Sequence, residues 1–143
     1  MKNKILIGID PDVDKSGFAF KTKGEIKLSN MHFFQLFSSL ENLRKENEKE
    51  DLMVYIEAGY LNKGNWHKTN GTNSINAQIG QRTGANHQVA KLICQMCVYL
   101  DINFCEVKPT RSKVNAEFFK QITKIDKRTN QEQRDALMLI WGL

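Results

Sequence analysis

Lys4-Ile5-Leu6-Ile7-Gly8-Ile9-Asp10 is the stretch that decides the fold. It is a short apolar run rich in Ile, ended by Pro11, and such a run reads as a strand buried on both faces and central in a sheet. Just downstream, Ser16–Thr22 and Glu25–Leu28 are strand-like segments joined by Lys23-Gly24, whose glycine supplies the turn. The opening third therefore predicts a three-strand antiparallel meander. The period then changes: apolar residues at 36, 37, 40 and 43 fall at helical spacing and predict a helix over Phe34–Asn47, with the charged stretch Arg44–Asp51 as its solvated end. Leu52–Ile56 is a second buried strand, ended by Glu57, and the helix before it is a crossover that lays this strand parallel to the first.

Ala58–Asn73 holds three glycines and four asparagines without a helical period, which predicts a long loop of the kind that often carries function. Ser74–Leu100 predicts a long helix, interrupted near Gly80 and Gly84, and Ile102–Val107 a third buried strand closed by Lys108-Pro109. Two helices follow. One covers Ser112–Thr123; the other is capped by Thr129 or Asn130 and carries Ala136, Leu137, Leu139, Ile140 and Trp141 to the C-terminus.

The 143 residues fit one domain with a core of its own. The apolar run at Ile5–Ile7 is far short of the ~18 residues of a membrane span, so no membrane association or export is expected. Cys94, Cys97 and Cys105 are an odd number without a secretory signal, which predicts reduced thiols and a cytoplasmic protein. Cys94 and Cys97 form a C-x-x-C inside an apolar helix segment, near its end instead of its start, and are read as core packing. The net charge of +5 is unevenly spread. Residues 1–57 carry nine basic and ten acidic side chains, residues 58–143 twelve and six, so the second part can attract a polyanion.

Asp10 and Glu57 stand at the C-terminal ends of neighbouring strands, where open α/β sheets place their ligand sites. Glu132 and Asp135 are three apart at the start of the last helix and share a face that can point to the same place. Singly, an Asp after a strand is commonly a turn residue, and acids in a first helical turn commonly serve the dipole. Together, four converging carboxylates stay ionised only if cations compensate them, and hard oxygen ligands select Mg²⁺ or Mn²⁺. The matching chemistry is two-metal phosphodiester hydrolysis, in which one ion activates water and the other stabilises the leaving oxygen.

The pattern resembles the RuvC family of Holliday junction resolvases, within the ribonuclease-H-like nucleases, over nearly the whole chain. Ile7-Gly8-Ile9-Asp10-Pro11 with Ser16-Gly17 is similar to that family's first motif and Val54-Tyr55-Ile56-Glu57 to its second. Gln78-Ile79-Gly80-Gln81 with Gly84 is similar to the helix that follows, and Arg134-Asp135-Ala136-Leu137 to the last motif. The resemblance implies a single α/β domain over residues 1–143, with a five-strand mixed sheet of order 3-2-1-4-5 flanked by helices. It implies Asp10, Glu57, Glu132 and Asp135 as catalytic ligands of two Mg²⁺ ions, with Mn²⁺ able to substitute, and Glu132 replaces the more usual Asp or His. It further implies branched DNA as substrate and a homodimer, to which the Gly80–Gly84 region contributes.

For DNA contact, the family's base-stacking aromatic corresponds to Tyr60, and stacking tolerates any base at roughly 1 to 3 kcal/mol. Lys63, Trp66, His67 and Lys68 on the same loop are placed for phosphates and bases, although Trp66 reads equally as packing the loop onto the body. After the third buried strand, Pro109, Arg111 and Lys113 match the family's proline and basic residues, the chain being shorter here. Asp12 stands where glycine is usual and Asp14 follows; acids so close to the site are expected to weaken DNA approach. Asp10, Asp12 and Asp14 do not make an EF-hand, because Lys15 and Lys21 occupy the positions of its Gly and its bidentate Glu.

Two alternatives share features with this reading: a YqgF-like RNA-processing nuclease of the same fold, and a catalytically silent protein that binds branched DNA. An ATP-binding domain of the actin and sugar-kinase type needs a second domain and a second phosphate loop, for which 143 residues leave no room, so no nucleotide cofactor is expected.

Overall fold

The computed structural model describes residues 4–62, 73–110 and 112–143. Strand β1 (Ile5–Asp10) is central in a five-strand mixed sheet of order β3-β2-β1-β4-β5, with β2 at Ser16–Lys21, β3 at Ile26–Met31, β4 at Leu52–Glu57 and β5 at Asn103–Val107. The meander is antiparallel, with Asp10 opposite Gly17 and Ser16 opposite Met31. β4 and β5 run parallel to β1, with Ile9 opposite Ile56 and Glu57 opposite Val107. β3 is longer than its sequence expectation because it pairs along the full length of β2.

Side-chain alternation divides β1 between two cores. Ile5, Ile7 and Ile9 face helices α1 (Phe33–Glu46) and α2 (Asn73–Tyr99), packing with Leu36, Leu40, Ile93 and Cys97, and Val54 and Ile56 of β4 join them. The opposite face belongs to α3 (Ala116–Thr123) and α4 (Gln131–Met138), whose core holds Ala19, Phe119, Ala136, Leu137 and Ile140.

The second face depends on two glycines. A Cβ at Gly8 would collide with the Ala136 carbonyl of α4, and one at Gly17 with the Glu132 carbonyl. Backbone cannot swing aside as a side chain can, so α4 lies this close to β1 and β2 only because these positions lack side chains.

Three helices also differ from their expectations. α2 runs unbroken through Gly80 and Gly84: a helical glycine costs only about 1 kcal/mol, and the buried Ala90, Ile93, Met96 and Cys97 anchor the helix. α3 begins at Ala116, because Asn115 caps it by accepting from the Phe118 N–H at 2.8 Å, and this leaves 112–115 as an irregular strap. α4 is capped by Asn130 in a reciprocal box with Gln133 and ends at Met138; the Lys21 ammonium takes the carbonyls of Ile140 and Trp141 beyond it at 3.2 and 2.9 Å. Cys97 is fully buried in the first core and burial raises its thiol pKa to about 12, in keeping with a packing role. No helix among the described residues is long and apolar enough to cross a membrane.

Candidate active site

Parity on the strands brings the first two acids together. Asp10 follows Leu6 and Gly8 on the α4 face of β1, Glu57 follows Tyr55 on the same face of β4, and the preceding pair Ile9–Ile56 is in register. Both carboxylates therefore leave the sheet side by side at its C-terminal edge. α4, seated on Gly8 and Gly17, adds Asp135 from the same side. Carboxylate oxygens of Asp10, Glu57 and Asp135 all lie within 4.8 Å of one another, forming the one such metal-competent group among the described residues.

This crowding has an electrostatic cost. Burial, reinforced by the charges of Glu57, Asp135 and Glu132, raises the Asp10 pKa to about 8, with Lys113 pulling the other way. Burial also raises Glu57, against the opposing pull of Lys113. Lys113 partly compensates the cluster: its Nζ lies 3.1 Å from Asp135 Oδ2 and 3.5 Å from Glu57 Oε1. Burial alone would depress the Lys113 ammonium, but Glu57 and Asp135 outweigh it and its pKa is raised. One ammonium against three carboxylates still leaves room for more positive charge. An all-carboxylate, hard-oxygen set fits Mg²⁺ or Mn²⁺.

Glu132 stands apart from this trio. It lies one turn before Asp135 on α4, near enough to raise Asp10 through its charge, but its carboxylate is not in the close group. Lys113, expected on DNA phosphate, stands instead among the acids. Tyr60 packs against the first core, donates its hydroxyl to Glu106 of β5, meets His87 edge-to-face at 6.1 Å and lies 5.2 Å beneath the Lys91 ammonium. Lys63, Trp66, His67, Lys68 and Arg111 lie outside the described residues.

Asp12 is paired with α2. Its carboxylate takes two contacts from Arg82 Nη2, at 3.0 and 3.1 Å, and one from Asn86 Nδ2 at 3.2 Å, while Asn86 Oδ1 accepts from the Val13 N–H. The departure from glycine thus ties the β1–β2 turn to α2. A cleft of about 580 Å³ opens beside this tie, with Asp10, Glu57, Lys113 and Asp135 on one side and Gly80, Thr83, Gly84 and His87 of α2 on the other. Gly80 and Gly84, expected to contribute to a dimer, line this cleft between the side chains of Thr83 and His87, and a Cβ at either would meet nothing within 4 Å.

Sequence reasoning missed Gln131 and gave Arg134 no role beyond its place in the last motif. Arg134, at 9 % exposure, has a signal that could have exposed it: it lies three residues before Leu137 and six before Ile140, so a charge sits within the apolar stripe of α4.

A scan of protein families finds no match to this sequence, and no curated protein matches it. Among solved structures, Thermus thermophilus RuvC in complex with a Holliday junction substrate is similar, with 12 % identity and a TM-score of 0.52 over 95 % of this chain and 89 % of that one. A second structure of Thermus thermophilus RuvC has 14 % identity and a TM-score of 0.46, covering 94 % of this chain and 90 % of the other. The chain has the ribonuclease-H-like fold of the first of these structures, and its own five-strand sheet runs in the order 3-2-1-4-5.

Proposed function

We propose that this chain is a divalent-metal-dependent endonuclease that cuts branched DNA, four-way junctions foremost. The observation that carries the proposal is the meeting of Asp10, Glu57 and Asp135 within 4.8 Å at the C-terminal edge of a five-strand sheet of order β3-β2-β1-β4-β5. The similar solved structure that holds a Holliday junction supports the choice of substrate class.

In this reading residues 1–143 form one nuclease domain, and Asp10, Glu57 and Asp135, with Glu132 beside them, would hold two Mg²⁺ ions, for which Mn²⁺ would substitute. Bound there, such ions supply activation of water and charge stabilisation at the leaving oxygen of a phosphodiester. The chain's own residues set the conditions. With its pKa raised, Asp10 would have to give up a proton to hold a cation, which would link occupancy to pH. Lys113 serves as a counter-charge to Glu57 and Asp135, and its ammonium would be free to meet the scissile phosphate where cations compensate the acids. Gly80 and Gly84 leave room on the α2 side of the cleft for a bulky backbone.

Lys63, Lys68 and Arg111 contribute phosphate contacts, and Tyr60 and Trp66 engage bases at the open centre of a junction. Tyr60 must leave Glu106 to do so. Phosphate contacts fix position without reading sequence, so shape selects the substrate more than base edges do. A homodimer would present two sites to two strands.

The test is cleavage of 5′-labelled four-way junction, fork, linear duplex, single strand and RNA–DNA hybrid, in Mg²⁺ or EDTA, with Asp10→Asn as control. Paired nicks confined to the junction, absent in EDTA and in the variant, are the expected result. Tight junction binding without cutting any DNA would make this a silent binding protein, and cutting of RNA alone would make it a processing nuclease.

A further inference from the structure

We propose that Gln131 is a positioning residue for Asp135, and that the buried guanidinium of Arg134 in turn sets Gln131; this rests on the metal-site reading above. Gln131 is the first residue of α4, one turn before Asp135 on the same face. Its Nε2 donates to Asp135 Oδ1 at 2.8 Å and to the Val114 carbonyl at 3.3 Å, and its Oε1 accepts from Arg134 Nη2 at 3.1 Å. This use of the amide fixes its orientation. Turned over, its oxygen would face a carboxylate and a carbonyl, its NH₂ would face a guanidinium, and every contact would set like against like.

Arg134 is nine-tenths buried, yet the oxygens it reaches are all neutral. Its Nε goes to the Val114 carbonyl at 3.0 Å, Nη1 to the carbonyl and hydroxyl of Thr129 at 2.9 and 3.1 Å, and Nη2 to Gln131. Burying a cation without a charge partner is costly, so an arginine kept here requires a compensating role. Its contacts supply one: a single planar group joins the loop before α4, the first turn of α4, and the strap at Val114 that follows Lys113.

The result at Asp135 is a division of labour between its two oxygens. Oδ1 is held by the neutral amide of Gln131, while Oδ2 shares the Lys113 ammonium with Glu57. A neutral donor orients a carboxylate without cancelling its charge, which is what a cation ligand requires of its supporting shell. The Asn130–Gln133 capping box holds the helix start without using the Gln131 side chain. Removing that side chain therefore leaves the cap in place.

The test is calorimetric titration of Mn²⁺ into the chain without DNA, for the native sequence, Gln131→Met, Gln131→Glu, Arg134→Lys and Asp10→Asn, alongside thermal unfolding in EDTA. Loss of a supporting hydrogen bond on a metal ligand typically weakens affinity ~10- to 100-fold. Gln131→Met is expected to show that loss with its unfolding midpoint in EDTA close to native. Arg134→Lys, which cannot reproduce the fork, is expected to follow it, and Gln131→Glu to restore neither the donor nor the affinity. Native affinity in Gln131→Met, while Asp10→Asn loses binding, would overturn the inference and leave the metal site standing. A lowered midpoint with unchanged affinity would also overturn it, making Gln131 a stability residue. No Mn²⁺ uptake by the native chain would overturn both the metal-site reading and this inference.

Discussion

On one face of the sheet, α1 and α2 bury Leu36, Leu40, Ile93 and Cys97 against Ile5, Ile7, Ile9 and Val54 in a broad apolar layer. On the other, α4 covers the strands with Ala136, Leu137 and Ile140 and comes down to backbone at Gly8 and Gly17. Side chains in the first layer can adjust to one another. The second layer is set by carbonyls against glycine Cα atoms, which have nowhere to move. The proposed ligands stand on this stiffer side, where a small shift of α4 displaces Asp135 relative to Asp10 and Glu57. The first face supplies stability in bulk; the second supplies position.

The largest expected effect separates these two contributions outright. Asp135→Asn keeps the fold, read by circular dichroism, but lowers junction cleavage by about 10²-fold or more, as expected when a group that stabilises charge in the transition state is lost. Ile93→Ala, on the opposite face, costs about 2 to 5 kcal/mol in a urea titration and leaves the cleavage rate per folded molecule unchanged. Equal loss of rate in both variants would erase the distinction.

Next in size is Gly8→Ala, which adds one methyl against the Ala136 carbonyl. Overpacking of this kind costs about 1 to 3 kcal/mol. Because the methyl pushes α4 outward, cleavage per folded molecule falls as well, and the two readings together mark this face as positional.

A smaller effect concerns pH. A carboxyl whose pKa rises from 3.8 unfolded to about 8 folded contributes stability that is present below pH 4 and lost as pH climbs through 8. Asp10→Asn removes that loss. In EDTA the variant is expected to melt at a higher temperature than the native chain at pH 8, with the gap closing toward pH 4. A gap that stays constant with pH would contradict the raised Asp10 pKa.

The smallest change is expected from Arg82→Ala. Its guanidinium is exposed and its contacts with Asp12 are screened by salt, so the unfolding midpoint barely moves.

How much of this could be read from the chain varies by region for physical reasons. The Asp10–Glu57 half of the site was legible because a buried strand announces itself by a short run free of charged residues and rich in Ile, Leu and Val, and parallel neighbours place their terminal acids side by side. The meander and the first crossover placed β4 beside β1, and the full order with β5 at the edge came from the family resemblance. Asp135 was legible as a helix-start acid, but its distance from the other two depends on how close α4 lies to β1, which no local pattern encodes. Gly8 looked like one more residue of a strand, when it is the seat of a helix. Lys113 carried no local sign that its ammonium would enter the acid cluster, because the strap that delivers it is held by Arg134 and Gln131 from another element. The break expected in α2 at its glycines was overridden by the packing of Ala90, Ile93, Met96 and Cys97.

The most direct measurement is anomalous diffraction at the manganese edge from crystals of the native chain grown with and without Mn²⁺. The expected result is anomalous density about 2.1 Å from carboxylate oxygens of Asp10, Glu57 and Asp135, with Lys113 withdrawn from between Glu57 and Asp135. Saturating Mn²⁺ that leaves the acids without anomalous density and Lys113 still bridging them would contradict a metal-dependent nuclease site.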